Sequence, residues 1–312
     1  MTNPKVTAII VTWNGKELIG DCLAGLLASE SVPTILVIDN ASADGTADFV
    51  RQNYPQVEVV ETGENLGYGR GCNVGIRRAM QAGADYILLV NQDAKLQPEA
   101  LGRLVQAGEN HPDMGILIPL NLTSDGQQVD SDFADCLSDR RLRSYFSDLV
   151  SGTLKDAYLA GLLPGAVKLV RRQTVERIGV FDPIFFMYGV EFDYHLRAEH
   201  HGWQSGLVPE AIIFHSYEGH RTQGQPPPTY RQRVNKLTWI SYLGLKRLDR
   251  SFSKNCIIVY GRFVIELARA LARGDHSQIA ACFAAGAKTT AAIPRIVRHR
   301  RISFVGKDAF VF

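Results

Sequence analysis

The sequence predicts an α/β fold, with a mostly parallel sheet flanked by helices and a helical appendage at the C-terminus. Three observations carry this expectation. Short β-branched runs alternate with amphipathic segments through the first 120 residues. Those runs end on polar residues, as strands do where a doubly wound sheet binds ligands. After Pro226-Pro227-Pro228 the chain turns helical and basic.

The strands are expected at Val6–Thr12, Thr34–Ile38, Val57–Glu61, Tyr86–Val90 and Met114–Pro119. Between the first two, Leu18, Ile19, Cys22, Leu23, Leu26 and Leu27 form one apolar stripe at helical spacing, and Pro33 marks the return to the sheet. A Gly-rich loop, Thr62–Gly71, precedes a helix from about Cys72 to Ala82. Residues 121–160 are polar and Asp-rich without a clear period, which reads as an irregular insertion. Order returns with a strand near Ala166–Val170, a short helix over Arg172–Ile178, a helix from about Gly189 to His201, and a strand ending near His215. The expected organisation is therefore a sheet-bearing unit over 1–222, in two parts, 1–120 and 161–222. A linker (223–230) and a helical region (231–312) complete it. In that last region Tyr260, Val264, Leu267 and Leu271 share one helix face, opposite Arg262, Glu266, Arg269 and Arg273.

At 312 residues and 46% hydrophobic composition the chain can bury one large core with an appendage. Its net charge of +2 conceals an asymmetry. Residues 231–312 carry 16 Lys and Arg against 4 Asp and Glu, and residues 1–230 carry 18 against 28. The acidic body argues against nucleic acid as substrate, while the basic tail suits an anionic membrane surface or simply a solvated helical face. Five scattered cysteines without CxxC spacing point to reduced thiols in a cytosolic protein. The N-terminal apolar run is too short for an export signal, and Cys256–Ala272 is interrupted by Arg262, Glu266 and Arg269, short of the ~20 apolar residues of a spanning helix. The expected location is cytoplasmic, peripheral to the inner face of the plasma membrane.

The strand ends supply the chemistry. They carry Thr12-Trp13-Asn14, Asp39-Asn40 with Ser42, the loop from Gly63 to Gly71, and Asn91-Gln92-Asp93. Asp39 reads as a ligand contact or as a turn cap. The Gly-rich loop follows the third strand and does not match GxGxxG, so a dinucleotide dehydrogenase is disfavoured. Asp93, directly after a buried strand, is placed to hold Mg2+ or Mn2+ against two phosphates. Glu191 and Asp193 open a helix, where carboxylates also serve the helix dipole, and His215 ends a late strand.

Taken together, these pieces resemble family-2 glycosyltransferases of the GT-A fold, within the bacterial rhamnosyltransferase-like group, which implies that 1–222 is the catalytic domain, with a nucleotide-sugar-binding half (1–120) and an acceptor and base half (161–222). The matching segments are Val11-Thr12-Trp13-Asn14, Val37-Ile38-Asp39-Asn40-Ala41-Ser42, Asn65-Leu66-Gly67 with Cys72-Asn73-Val74-Gly75, Leu88-Leu89-Val90-Asn91-Gln92-Asp93, and Val190 through Ala198. The resemblance implies that Thr12, Asn14 and Asp39 contact the nucleoside, Asp39 reading the imide edge of thymine or uracil. It further implies that Asn65, Gly67 and Asn73 shape the donor pocket, with Gly165 bordering the sugar. Asp93 takes the last place of the DxD-type metal motif, whose first place is Asn91 here, and His215 matches a histidine beside the metal diphosphate. Asp193 belongs with the substrate-binding set, and Glu191 takes the place of the catalytic base, where relatives carry Asp.

The reaction implied by the resemblance is an inverting transfer from a dTDP or UDP sugar, rhamnose by subgroup resemblance, to a glycan or lipid-linked glycan, with Mg2+ or Mn2+ as cofactor. Such a reaction belongs to cell-surface polysaccharide synthesis, O-antigen included. No nucleic-acid partner is expected; a membrane contact through the tail and a homodimer are. Two rivals remain: a sugar nucleotidyltransferase, which should carry a Gly-rich basic signature after the first strand, and a binding module that has lost catalysis.

Overall fold

The computed structural model describes residues 4–163, 165–216, 228–307 and 309–310. Nine strands form one sheet: β1 (Val6–Thr12), β2 (Thr34–Asp39), β3 (Glu58–Glu61), β4 (Tyr86–Asn91), β5 (Ala94–Leu96), β6 (Met114–Thr123), β7 (Tyr158–Ala160), β8 (Val167–Arg171) and β9 (Gln204–His215). Their order is β3-β2-β1-β4-β8-β6-β9-β5, with β7 also on β9. β1 to β4 are parallel, and β6 is parallel to β9. β8 runs antiparallel between β4 and β6.

Alternation along the central strands divides the core. Ile9, Leu36, Ile38, Ile87 and Leu89 face one layer of helices, and Ile10, Ile35, Val37, Leu88 and Val90 face the other. The helix Tyr68–Gln81 begins four residues before the expected Cys72. Gly71, which reads as part of a loop in sequence, allows close approach to β1, since a Cβ there would sit 2.8 Å from Cγ1 of Val11. The segment expected to be irregular, 121–160, contains the helices Ser131–Cys136 and Arg143–Ser151 as well as β7. These helices are too short to display a period in sequence, yet Phe133, Leu137, Leu142 and Tyr145 are buried in the core.

Of the expected linker, residues 223–227 lie outside the described residues, as does the boundary at 222. Thr229 caps the next helix through a reciprocal capping box with Gln232. Four helices follow, Tyr230–Lys246, Phe252–Arg273, His276–Ala291 and Ile293–Val305. The helix Phe252–Arg273 turns Asn255, Val259 and Ala270 inward. Val264 and Leu271 are therefore exposed and Tyr260 and Leu267 only half-buried, so the apolar face these four share is not the side that packs on the rest of the chain. No described helix is long and apolar enough to cross a membrane.

Candidate active site

The register brings Thr12, Asp39 and Asn91 to one edge of the sheet, since Thr12 pairs with Asp39 and Val11 with Asn91. β8 starts at the same edge, where the Asn91 N–H donates to the Ala166 carbonyl at 2.8 Å. β6 and β9 also end there, Thr123 beside His215. A cavity of about 390 Å³ opens at this edge, and Thr12, Asn65, Gly67, Asn91, Asp93, Gly165, Glu191 and His215 line it.

At the ends of β1, β2 and β4 the loops are tied to one another. The Gln92 side-chain oxygen accepts from the Thr12 hydroxyl at 2.6 Å and from the Trp13 N–H at 3.1 Å, bracing the ends of β1 and β4. Asn14 adopts a left-handed backbone with φ 50°. It donates its N–H to Ser42 Oγ at 2.9 Å and accepts from the Ala43 N–H at 2.8 Å, so its side chain is used within the loops rather than on the cavity wall. Asp39 is buried. One carboxylate oxygen accepts from the Ser42 N–H at 2.8 Å, and Oδ2, also buried, has no hydrogen-bond partner among the described residues. A buried carboxylate oxygen without a donor is costly, which makes Asp39 a candidate to receive a ligand N–H. Asn65 accepts from the Gly67 N–H at 2.9 Å. Gly67 has φ 76°, and a Cβ there would lie 2.2 Å from the Phe186 carbonyl oxygen, so this loop rests directly on the 185–188 segment.

Opposite lies a chain of three ionisable groups. His215 Nε2 faces Asp93 at 3.4 Å and Nδ1 meets Asp130 at 3.1 Å. Burial disfavours the charged imidazole, but hydrogen bonds and charge from Asp130 and Asp93 outweigh it and raise the pKa to about 9. Asp130 also caps the Ser131–Cys136 helix, accepting from the Asp132 and Phe133 N–H groups. Among the described residues no cluster of three acidic, His or Cys side chains is arranged around a metal. Asp93 and His215 nevertheless fit two ligand places, with the far imidazole nitrogen held by a carboxylate in the manner of metal-binding histidines.

Glu191, in the first turn of the helix Val190–His200, is ion-paired with Lys168. The Lys168 ammonium also donates to the Gly165 carbonyl at 2.5 Å, and its side chain is only 4% exposed. The carboxylate is thereby fixed at the cavity wall.

Asn14 and Asp39 do not line the cavity, and two further expected site residues are also absent from its wall. Asn73 is buried and bonds both ways to the Phe181 backbone, at 2.8 and 2.9 Å, joining the helix Tyr68–Gln81 to the segment that precedes the helix Val190–His200. Asp193 points away from the cavity into a buried charge network. It accepts from Arg197 Nε at 2.9 Å and from Lys246 Nζ at 2.6 Å. Lys246 also pairs with Asp182, which His299 contacts at 2.5 Å. Burial pushes the Asp182 carboxyl up, but Lys246 and His299 outweigh it and hold its pKa far below the ordinary range. Lys246 and His299 come from the C-terminal helices, so these helices anchor the one that carries Glu191.

Three cavity or cavity-side residues have no role in the sequence reading. Asp130 sits in the segment without a period, Lys168 lies inside a strand, and Gln92 appears only as part of a polar strand end. A charged residue inside an otherwise apolar strand is the one signal that was available for Lys168.

Residues 7–135 match the family described as Glycosyl transferase family 2. The chain is 30% identical over 260 residues to an N-acetylglucosaminyl-diphospho-decaprenol L-rhamnosyltransferase of Mycobacterium tuberculosis, covering 74% of this chain and 82% of the relative. It is 28% identical over 232 residues to the galactofuranosyltransferase GlfT1 of Mycolicibacterium smegmatis, covering 69% and 72%. Among solved structures, the mannosyltransferase PcManGT from Pyrobaculum calidifontis in complex with GDP-Man and Mn2+ aligns with a TM-score of 0.57 at 17% identity, over 93% of this chain and 88% of that one. S. aureus TarS 1-349 in complex with UDP-GlcNAc aligns with a TM-score of 0.58 at 15% identity, over 98% and 90%.

Proposed function

Because the chain belongs to glycosyltransferase family 2 and has the GT-A fold, we propose that it is an inverting, metal-dependent enzyme that transfers L-rhamnose from dTDP-rhamnose to a hydroxyl of a lipid-linked glycan. The observation that carries this reading is the convergence of Glu191 and the Asp93–His215 pair on one cavity at the strand ends. The acceptor follows the rhamnosyltransferase relative, whose name specifies a diphospho-decaprenol substrate. A lipid-linked acceptor puts the reaction at the inner membrane face, with the chain a peripheral cytoplasmic protein in cell-surface polysaccharide synthesis.

In this reading the donor's base lies over Thr12 and Asp39, and the orphan oxygen of Asp39 accepts the imide N–H of thymine. Asp93 and His215 would hold Mg2+ or Mn2+, as the complex of PcManGT with Mn2+ and GDP-Man suggests for this fold. When bound, the cation supplies neutralisation of the charge that develops on the departing diphosphate. Glu191, fixed by Lys168, takes the proton from the acceptor hydroxyl as its oxygen attacks the anomeric carbon. The bond from that carbon to the diphosphate oxygen breaks on the opposite face, and dTDP departs. Direct displacement needs one base and inverts the centre, whereas a covalent route would require a second carboxylate as nucleophile.

Thermal-shift titration with dTDP-rhamnose, UDP-GlcNAc and GDP-mannose, with and without Mn2+, tests the reading. A donor at a hundred times its Kd stabilises the fold by about 2.7 kcal/mol, and dTDP-rhamnose with Mn2+ is expected to give the largest shift. If none of the three moves the transition, the cavity is not a nucleotide-sugar site.

A further inference from the structure

The helix Phe252–Arg273 exposes an apolar stripe. Ile257, Val264 and Leu271 are 74%, 66% and 60% exposed, and they recur at seven-residue intervals. Gly261, Ala268 and Ala272, small and also exposed, fill the rows between them. At 100° per residue, Arg262, Arg269 and Arg273 form a row along one flank of the stripe, with Ile265 between stripe and row. On that flank a groove of about 680 Å³ separates this helix from Tyr230–Lys246. Leu237, Ile240, Phe263 and Ile265 line its apolar part. Lys236 and Arg262 also line it, and neither carries an ion pair among the described residues.

We propose that this face lies on an anionic lipid bilayer, with Ile257, Val264 and Leu271 in the headgroup and acyl boundary and with Lys236 and Arg262 on lipid phosphates. An apolar helix face bordered by arginines, too interrupted by charge to span, matches the requirements of an in-plane contact. The charge of the region supports the same occupant, since 16 basic residues stand against 4 acidic ones beyond residue 230. A second copy of the chain fits less well. Antiparallel pairing of this helix about a two-fold axis would lay the arginine row against its own copy. Glu266, the acidic residue in that row, is already paired with Arg269 at 2.8 Å.

The inference rests on the membrane-side reading above but not on turnover, so the two fail separately. Full-length protein is floated with phosphatidylglycerol-containing vesicles and with phosphatidylcholine vesicles, and its self-association is measured by sedimentation. Binding is expected with anionic vesicles only, decreasing as salt rises. Val264→Asp should abolish it, and the double variant Lys236→Gln/Arg262→Gln should weaken it about thirtyfold, at roughly one basic residue's worth of attraction each. Both variants alter exposed side chains, and an unchanged melting temperature confirms that each folds. No flotation of the wild type, equal flotation with both vesicles, or wild-type binding by Val264→Asp overturns the proposal. So does a dimer that Val264→Asp dissociates in the absence of vesicle binding, which would assign the stripe to a second copy.

Discussion

Replacing Lys246 by Met removes the one ammonium shared by Asp182 and Asp193. The side chains concerned are almost wholly sequestered, Lys246 at 2%, Asp182 at 0% and Asp193 at 5% exposed. Met fills a similar volume between Phe185 and Phe310, which Lys246 approaches at 5.3 and 5.5 Å from their ring centres, so the loss is mainly electrostatic. Asp193 keeps Arg197, but Asp182 is left with His299 as its ion-pair partner and with the Ile184 N–H, which donates to it at 2.8 Å. Breaking a buried pair by removing one partner costs about 3–5 kcal/mol. At roughly 2–4 °C per kcal/mol for a large domain, the melting temperature should fall by about 6–20 °C at pH 7. The sign of the pH dependence follows from Asp182. Its pKa is depressed in the folded protein, so its contribution is present above the ordinary carboxylate pKa of about 3.9 and is lost as pH falls below it. The gap between wild type and variant should therefore be widest near neutrality and narrow below about pH 4. Denaturant melts of both proteins from pH 7 to 3 measure it. A loss under about 1 kcal/mol at pH 7, or a gap of constant size across the range, would refute the argument that this network holds the C-terminal helices to the sheet domain.

Three further outcomes are expected. Glu191→Gln should fold and bind donor normally while turnover falls by roughly 10²-fold or more, the usual range for loss of a general base; near-normal turnover would remove Glu191 from the mechanism. Asp93→Ala should weaken nucleotide diphosphate and Mn2+ together in calorimetry, and metal enhancement that survives the substitution would place the cation elsewhere. Because His215 has a folded pKa raised to about 9, its stabilising contribution is complete below about pH 6.5 and lost as pH rises through 9. Metal-free protein should lose stability across that window while Mn2+ affinity rises, since the cation must displace the Nε2 proton; a Mn2+ affinity independent of pH from 6 to 9 would count against His215 as a ligand.

The sheet was readable because its strands are buried on both faces and spell continuous apolar runs ending on polar residues. Thr12, Asn91 and Asp93 reach the cavity by that logic, as strand-end positions in a parallel sheet must share an edge. Asp193 and Asn73 were less legible. Position on a helix facing the site suggests a ligand contact, but orientation depends on partners distant in sequence, Lys246 for the one and Phe181 for the other. Asp130 was hidden for a related reason, because its importance comes from a contact with His215, 85 residues away. The glycines of the helix Tyr68–Gln81 misled in the opposite sense, since low helix propensity was outweighed by the need for close packing on β1.

The position of β8 also bears on how the chain acquires its structure. β6 pairs only with β8 and β9 among the named strands, and both are synthesised after it. Until residues 167–171 leave the ribosome, β4 presents an open edge and β6 has no neighbour in the sheet, although both are strongly apolar. Such unpaired strands recruit foreign partners readily. A fragment ending near residue 120 would therefore be expected to aggregate rather than survive as a folded unit, and any split or circularly permuted version of the protein should keep β4, β6 and β8 on one piece.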